Sequence, residues 1–368
     1  MTSAATAEEH PAADRSQSPA PTAYSYRVKA IRLFAPHEPL RAVDVPAPVP
    51  ADDEIVVRVR AAGICHSDAH YRAGFNQLRL PLTLGHEVAG VVARKGGRVD
   101  GLTEGDRVAL HYLRFCGSCR RCVEHGEQFC ETGGMLGNNI DGGYAEEVVV
   151  PAASAVRIPA SVPFEHAAVM MCSTATAYHA LRLTAPVANK TIAILGFGGL
   201  GISALMLARA LGAAQVLAVD IVDEKLAFAR SMGATPVRSD ENLTQALLDA
   251  TGGRGADVAL DLAGRADVSA RAVRALVPGG TLVLVALSTA PLPVNPYRDL
   301  LARERRIIGC SDHTRAELEE LMELAETKAI DMSAAISETV PFDADAINGV
   351  LDKLDRGTTT LRSVIAFE

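Results

Sequence analysis

The second half of the chain alternates between two hydrophobic patterns. Short apolar runs of β-branched and small residues are separated by longer segments in which apolar residues recur every three or four positions. The runs predict strands at 191–195 (TIAIL), 215–220 (QVLAVD), 256–264 (ADVALDLAG) and 280–287 (GTLVLVAL), and the periodic segments predict helices at 202–213 (ISALMLARALGA) and 266–277 (ADVSARAVRALV). This alternation is typical of an α/β fold with a doubly wound parallel sheet.

The first half has a different character. From Lys29 to about Pro151, short β-rich runs such as EIVVRVRAAG and GGYAEEVVVP are punctuated by glycine and proline. This pattern predicts a separate, mostly β domain in front of the α/β domain.

Composition excludes several classes of protein. The 368 residues are enough for two domains, and 48% of them are hydrophobic. A net charge of −8 argues against a nucleic-acid partner, because phosphate backbones are bound mainly by surplus Lys and Arg. No apolar run approaches the roughly 18 residues of a membrane helix. Residues 1–26 are rich in Ala, Pro, Ser and Thr and predict a disordered tail rather than a secretory signal. We therefore expect a cytoplasmic protein with reduced thiols.

Four of the seven cysteines lie close together in CGSCRRCVEHGEQFC: Cys116, Cys119, Cys122 and Cys130. Disulfides are disfavoured by the expected compartment. An iron–sulfur motif of the bacterial ferredoxin type would place its fourth Cys after three residues and follow it with Pro, whereas here seven residues intervene and Glu131 follows. A Cys₄ zinc site tolerates this spacing and leaves no position open for substrate, so it would be structural. Four unrelated thiols are the plain alternative, which such tight clustering disfavours.

A second set of metal ligands is possible. Cys65, His86 and Cys172 would form a Cys₂His set, and three protein ligands with a free fourth position are the arrangement of catalytic zinc. Sequence separation alone does not join these three residues. Two neighbours support the reading, since Asp68 can accept from the other N–H of a ligand imidazole and Glu87 can add a carboxylate behind the metal.

A dinucleotide fingerprint follows the first predicted strand of the α/β half. The turn Gly196-x-Gly198-x-x-Gly201 stands between strand and helix, and Asp220 ends the next predicted strand. The glycines let the backbone approach a pyrophosphate at the helix N-terminus. A carboxylate at Asp220 would bind both adenosine ribose hydroxyls, which favours NAD over NADP.

In combination these features resemble the zinc-dependent alcohol dehydrogenases of the medium-chain dehydrogenase/reductase family. The resemblance runs from about Lys29 to the C-terminus and rests on several motifs in family order: CHSD, GHEVAGVV, GDRVAL, CGSCRRC…C, GGYAEEVVVP, GFGGLG and VDIVDEKLAFARSMGA. It implies a GroES-like catalytic domain at 27–172, a Rossmann NAD-binding domain at 173–312, and a C-terminal segment, 313–368, that returns to the catalytic domain.

The resemblance also implies roles for individual residues. Cys65, His86 and Cys172 would hold a catalytic zinc, and Cys116, Cys119, Cys122 and Cys130 a structural zinc. Ser67 and His70 would form a proton relay, beside Asp68 and Glu87, and Tyr112 would line the substrate pocket. The cofactor-binding residues would be His66, Thr176, Gly196, Gly198, Gly199, Leu200, Gly201, Asp220, Lys225 and Arg362, the last reaching the pyrophosphate. Cys310 has no family role and is expected to be buried.

The expected activity is reversible hydride transfer between an alcohol and NAD, with two zinc ions per chain. The alternatives are a polyol, threonine or formaldehyde dehydrogenase of the same fold, a zinc-free enoyl or quinone reductase, or a non-enzymatic zinc-binding scaffold. Polyol members often use Glu where this chain has Cys172, which favours simple or bulky hydrophobic alcohols. By analogy of length we expect a homo-oligomer, a tetramer rather than a dimer. The pocket loop at 76–80 does not reveal the substrate.

Overall fold

The computed structural model describes residues 26–75, 77–357 and 361–368. Most of the predicted tail, 1–25, and Asn76 of the predicted pocket loop lie outside the described residues.

The strands are β1 (Arg27–Leu33), β2 (Arg41–Pro46), β3 (Glu54–Ile64), β4 (Leu82–Thr83), β5 (Glu87–Lys95), β6 (Arg107–Leu110), β7 (Leu113–Arg114), β8 (Gly134–Met135), β9 (Glu147–Pro151), β10 (Ala155–Arg157), β11 (Thr191–Leu195), β12 (Gln215–Asp220), β13 (Thr235–Arg238), β14 (Ala256–Asp261), β15 (Leu276–Leu284), β16 (Arg306–Gly309), β17 (Ile336–Pro341) and β18 (Arg362–Ala366).

The α-helices are α1 (His66–Arg72), α2 (Arg120–Val123), α3 (Phe164–Val169), α4 (Ala175–Arg182), α5 (Gly199–Ala210), α6 (Asp223–Ser231), α7 (Leu243–Asp249), α8 (Ala266–Arg274), α9 (Arg315–Glu326) and α10 (Ala344–Asp355). Short 3₁₀ turns cover Glu127–Phe129, Ala152–Ser154, Leu301–Arg303 and Met332–Ala335, and π-helical turns cover Met170–Thr174 and Pro296–Leu300.

Two large sheets organise the molecule. The first runs in the order β10-β6-β5-β3-β18-β17, with β9 also pairing with β3. The second is parallel throughout and runs β13-β12-β11-β14-β15-β16. Strands β17 and β18 come after the parallel sheet in the chain yet belong to the first sheet, where β18 pairs antiparallel with β3. The chain therefore leaves the first sheet, builds the second and comes back.

The parallel sheet carries the α/β pattern that the sequence predicts. Its central strand β11 is buried at all five positions, which explains why the run TIAIL shows no polar alternation. Helix α5 packs on one face through Ile202, Leu205 and Ala208, and α7 and α8 cover the other. The expected α/β fold class is thus observed.

One predicted boundary in this sheet is wrong. The periodicity predicts a helix over 266–277, but α8 ends at Arg274, and Leu276 already belongs to β15 and pairs with Ala256 of β14. The two strands shift register just beyond this pair, and Gly279 adopts a positive φ of 74°. Strand β15 thus begins before an irregular glycine turn. The turn interrupts the alternation of residues, so the start of the strand could not be predicted from the sequence.

Candidate active site

Three predicted ligands converge between the two sheets. Cys65 follows β3 as the N-cap of α1, His86 directly precedes β5, and Cys172 lies in the π-helical turn between α3 and α4. Because β3 and β5 are paired, they bring Cys65 and His86 together. The ligand atoms of Cys65, His86, Glu87 and Cys172 all lie within 4.8 Å of one another. This donor set fits a tetrahedral zinc ion with a thiolate-rich coordination.

Asp68 lies beside the imidazole of His86. Its Oδ1 lies 3.4 Å from Nδ1 of His86, and its Oδ2 accepts hydrogen bonds from the N–H of Cys65 at 2.9 Å and the hydroxyl of Tyr144 at 3.0 Å. Both Asp68 and His86 are fully buried. Among the described residues neither ring nitrogen of His86 has a hydrogen-bond partner, so Nε2 is free to bind a metal while Nδ1 faces the carboxylate.

Glu87 is buried beside the ligands and forms an ion pair with Arg362 of β18. Burial raises the pKa of Glu87 to about 7, although the Arg362 guanidinium works in the opposite direction. A Cβ on Gly63 would lie 1.9 Å from the Glu87 carboxylate, so only glycine leaves room for it there. Gly63 therefore provides the space that the Glu87 side chain occupies.

The two thiols of the set influence each other. A hydrogen bond from Cys172, together with the positive charge of Arg362, places the pKa of Cys65 well below its ordinary value despite burial. Cys65 is thus suited to bind a cation as a thiolate.

The predicted relay residues lie at the start of α1. The hydroxyl oxygen of Ser67 is 3.7 Å from the Cys65 sulfur. The rings of His66 and His70 stack with centroids 4.5 Å apart, and burial, followed by the neighbouring His70, lowers the pKa of His66. Within the part of the chain that the structure describes, no hydrogen bond joins Ser67 to His70. A proton passing between them therefore needs a bridging hydroxyl or water.

Tyr112 contacts the metal-ligand set through His86. It is 2% exposed, and its ring meets the His86 ring edge-on at a centroid distance of 5.3 Å. Its hydroxyl donates a 2.7 Å hydrogen bond to Asp312. The structure thus places the predicted pocket residue against a predicted ligand.

The glycine fingerprint connects β11 to α5. Gly196 adopts a positive φ of 97°, and a Cβ on Gly201 would lie 2.4 Å from the Gly196 carbonyl oxygen. A Cβ on Gly199 would lie 2.6 Å from Cδ of Arg362, which places that arginine beside the N-terminus of α5. Gly198 is the N-cap of this helix and Leu200 is in its first turn. The glycines thus allow close packing of the turn at the N-terminus of α5, and a helix N-terminus is a place where phosphate can bind backbone N–H groups.

Asp220 is the last residue of β12, and both oxygens of its carboxylate accept hydrogen bonds. Oδ2 accepts from the N–H of Phe197 in the fingerprint at 2.8 Å, and Oδ1 accepts from the N–H groups of Ile221 and Val222. Nζ of Lys225 lies 3.7 Å from Oδ2. Asp220 therefore braces the phosphate-binding turn in addition to any contact with a ribose.

Thr176 and Cys310 lie close together near the start of α4. Thr176 is half-buried, and its carbonyl oxygen is 3.9 Å from the Cys310 sulfur. Cys310 was expected to be buried and is half-buried, and desolvation raises its pKa to about 12.

The four clustered cysteines form a separate lobe. Cys116, Cys119, Cys122 and Cys130 offer sulfur atoms that all lie within 4.8 Å of one another. The N–H groups of Ser118 and Cys119 donate to the Cys116 sulfur, which lowers the pKa of that thiol to about 5. This arrangement fits a closed Cys₄ zinc site with no place for a substrate.

Comparison with known proteins agrees with this geometry. A family model for the alcohol dehydrogenase GroES-like domain matches residues 51–160, and one for a zinc-binding dehydrogenase matches residues 199–327. An alcohol dehydrogenase of Geobacillus stearothermophilus is 35% identical over 89% of this chain and 96% of its own length. The chain belongs to the zinc-dependent alcohol dehydrogenase family.

Other members extend the likeness. An NAD-dependent alcohol dehydrogenase of Sulfolobus acidocaldarius is 32% identical over 92% of this chain and 99% of its own length. The crystal structure of the alcohol dehydrogenase of Aeropyrum pernix superposes with a TM-score of 0.83 at 31% identity, covering 92% of this chain and all of that one. The predicted family, fold class and enzyme class are therefore confirmed, together with the use of zinc and NAD. The roles of individual residues and the domain limits remain predictions.

Sequence analysis missed a group of buried polar residues next to Tyr112. His111 and His313 are 1% and 0% exposed, their rings lie 5.1 Å apart, and Asp312 precedes His313. The one sequence signal was the adjacency of His and Tyr at 111–112 and of Asp and His at 312–313, far apart in the chain. Only the fold brings the two pairs together.

Proposed function

We propose that the protein oxidises an alcohol to an aldehyde or ketone with NAD, and catalyses the reverse reaction, at the site formed by Cys65, His86 and Cys172. The observation that carries this proposal is a largely buried Cys₂His set near a glycine fingerprint, in which neither ring nitrogen of the imidazole has a hydrogen-bond partner among the described residues. Cys65, His86 and Cys172 would hold a zinc ion that would supply a Lewis acid to acidify the hydroxyl, and bound NAD would supply the hydride acceptor.

The chain's own residues position and move the proton. Asp68 holds the imidazole of His86 in one orientation and stabilises its N–H. The Ser67 hydroxyl, beside Cys65, accepts the alcohol proton in a hydrogen bond, and His70, reached through a bridging hydroxyl or water, delivers it to solvent. We also propose that the Cys116 cluster binds the second zinc and stabilises its lobe.

The test is a panel of primary, secondary, allylic and benzylic alcohols with NAD, followed by NADH absorbance. We expect turnover, and we expect Ser67→Ala to reduce kcat/KM by at least about 10²-fold, the effect of losing an acid–base group. Ser288→Ala, at an exposed serine, is the control and should retain activity.

His70→Gln should lower kcat/KM more near pH 6–7 than at high pH, where hydroxide replaces the imidazole. Equal losses at every pH would remove His70 from the relay, and no turnover of any alcohol would refute the function.

Assembly and location complete the proposal. Within the described residues no helix is long and apolar enough to span a membrane. We propose a cytoplasmic homo-oligomer, a tetramer rather than a dimer. Support comes from the edge position of β16 in the parallel sheet and from exposed apolar side chains at Leu287, Tyr297 and Leu301. Sedimentation analysis would test it, and a monomer at micromolar concentration would contradict it.

A further inference from the structure

Asp312 holds an unusual position between β16 and α9. Its backbone is left-handed, with φ of 51°, a conformation that Asp tolerates better than most residues. The half-buried carboxylate accepts a hydrogen bond from the Tyr112 hydroxyl at 2.7 Å through Oδ1 and one from the Ser311 hydroxyl at 3.2 Å through Oδ2. An ionised carboxylate has about four acceptor positions, so these two bonds leave it with spare capacity.

This carboxylate is one side chain away from the metal-ligand set. Tyr112 joins them, since its hydroxyl binds Asp312 and its ring contacts His86. Asp312 is therefore connected to the metal-ligand set through a single side chain, that of Tyr112.

Within the described residues, no cation pairs with Asp312. Arg315, three positions further on, donates to Glu319 at 2.8 Å and to the carbonyl oxygen of Ala155 at 3.0 Å. Burial lowers the pKa of His111 to about 4 and that of His313 well below its ordinary value, so neither imidazole supplies a positive charge near pH 7. The negative charge of Asp312 is left to solvent or to a ligand.

Neighbouring rings pack around the Tyr112–Asp312 pair. The His313 ring meets the Tyr112 ring at 88° with centroids 5.0 Å apart, and Nε2 of His111 lies 3.3 Å from the His313 carbonyl oxygen. These contacts hold the phenol and the carboxylate in place before a substrate arrives, which reduces the entropy lost on binding.

We propose that Asp312 is a specificity-determining residue that accepts a hydrogen bond from a second polar group of the substrate. The preferred alcohols then carry another hydrogen-bond donor, a hydroxyl or an ammonium group, in place of a plain alkyl chain. The physical reason is asymmetric: an alkanol displaces water from the carboxylate and returns nothing, whereas a donor-bearing alcohol replaces the lost hydrogen bond. This inference rests on the proposed function.

The experiment compares matched alcohols of three to six carbons: the n-alkanol, the α,ω-diol and the ω-amino alcohol. The quantity measured is the ratio of kcat/KM for the donor-bearing alcohol to that for the alkanol of equal length. In the unmutated enzyme we expect a ratio above about ten for at least one length. Asp312→Ala should lower that ratio at least about tenfold, and Glu326→Gln, an exposed carboxylate at the far end of α9, should leave it unchanged.

A second variant separates the two donors and guards against misfolding. Asp312→Asn keeps a side chain suited to positive φ and an oxygen for Tyr112 but removes the charge. It should reduce the ratio for amino alcohols more than the ratio for diols. If the ratio for diols falls as much as the ratio for amino alcohols, or if neither ratio changes, the charge of the carboxylate does not recognise the substrate.

Binding provides a readout that does not depend on turnover. The same alcohols are titrated into each enzyme–NADH complex, followed by NADH fluorescence, and the dissociation constants should show the same ratios. Suppose that the enzyme oxidises alkanols but the ratio of donor-bearing alcohol to alkanol stays near one, or is the same in Asp312→Ala as in the unmutated enzyme. Either result overturns the inference about Asp312 and leaves the proposed function intact. An enzyme that oxidises no alcohol overturns the proposed function and the inference with it.

Discussion

Arg362 of β18 forms a buried ion pair with Glu87, the residue that follows the predicted ligand His86. The stem of the same arginine lies against Gly199, at the first turn of α5. One side chain from the returning C-terminal segment therefore contacts both the metal-ligand region and the nucleotide fingerprint. Because the guanidinium is directed toward Glu87, the cofactor-binding role expected for Arg362 would require it to serve both groups.

Gly199→Ala tests this arrangement. The new methyl group would lie 2.6 Å from Cδ of Arg362, so the arginine must move away from the helix N-terminus. We expect the dissociation constant for NADH, measured by fluorescence titration, to rise at least about tenfold, equivalent to about 1.4 kcal/mol.

The matched control for this variant is Gly349→Ala in α10. A Cβ there has no atom within 4 Å, and alanine favours a helix over glycine by about 1 kcal/mol. It should keep the NADH affinity and raise the melting temperature slightly. An unchanged dissociation constant for NADH in Gly199→Ala would show that the position of Arg362 beside α5 does not affect cofactor binding.

Metal analysis separates the two predicted zinc sites. Cys65→Ala should leave a folded protein with one zinc and no turnover, because it removes a ligand of the set beside the fingerprint. Cys119→Ala should lower the melting temperature by at least about 5 °C, since structural zinc contributes directly to folding. Cys310→Ala, a thiol outside both sets, should retain both ions. Iron with sulfide, or a single zinc in active enzyme, would contradict the assignment.

Sequence analysis succeeded where pattern and motif coincide. Strands β11 and β12 match the predicted runs because a buried parallel strand is a continuous apolar run that ends at a fingerprint glycine or acid. It named Cys172 as a ligand by resemblance but could not predict the π-helical turn at Met170–Thr174 that contains this residue, because one extra residue per turn leaves no compositional mark. Nor could it find Asp312, whose contact with Tyr112 spans 200 residues and depends on how the chain returns from the parallel sheet.

We predict that the preference for NAD over NADP depends on Asp220. An adenosine 2′-phosphate would face this carboxylate, and two charges about 4 Å apart repel by about 4 kcal/mol at an effective dielectric near 20. Solvent and Lys225, 3.7 Å away, reduce this to about 2–4 kcal/mol, or roughly 30- to 1000-fold in favour of NAD.

Asp220→Ser should narrow the ratio of NAD to NADP affinity by at least about tenfold. It also removes the acceptor for the N–H of Phe197, so the melting temperature should fall as well. The ratio of NAD to NADP affinity distinguishes lost discrimination from a loosened turn. A loosened turn would weaken the binding of NAD and NADP equally and leave this ratio unchanged. An unmutated enzyme that uses both cofactors equally would mean that Asp220 does not govern the choice.

The buried His111 predicts a dependence of stability on pH. Its pKa in the folded protein, about 4, lies below the ordinary value of 6.5, because burial disfavours the charged ring. The unfolded chain therefore takes up the proton first as the pH falls, and stability that is complete above about pH 6.5 is lost progressively down to pH 4.

His111→Gln keeps an amide donor for the His313 carbonyl oxygen and cannot titrate in this range. Each pKa unit corresponds to about 1.4 kcal/mol, so the variant should gain about 1–3 kcal/mol relative to the unmutated protein between pH 7 and pH 4. Thermal melts of both proteins at a series of pH values measure the difference, with His37→Gln at an exposed histidine as the control. Parallel curves for the His111 variant and the unmutated protein would show that folding does not hold this imidazole neutral.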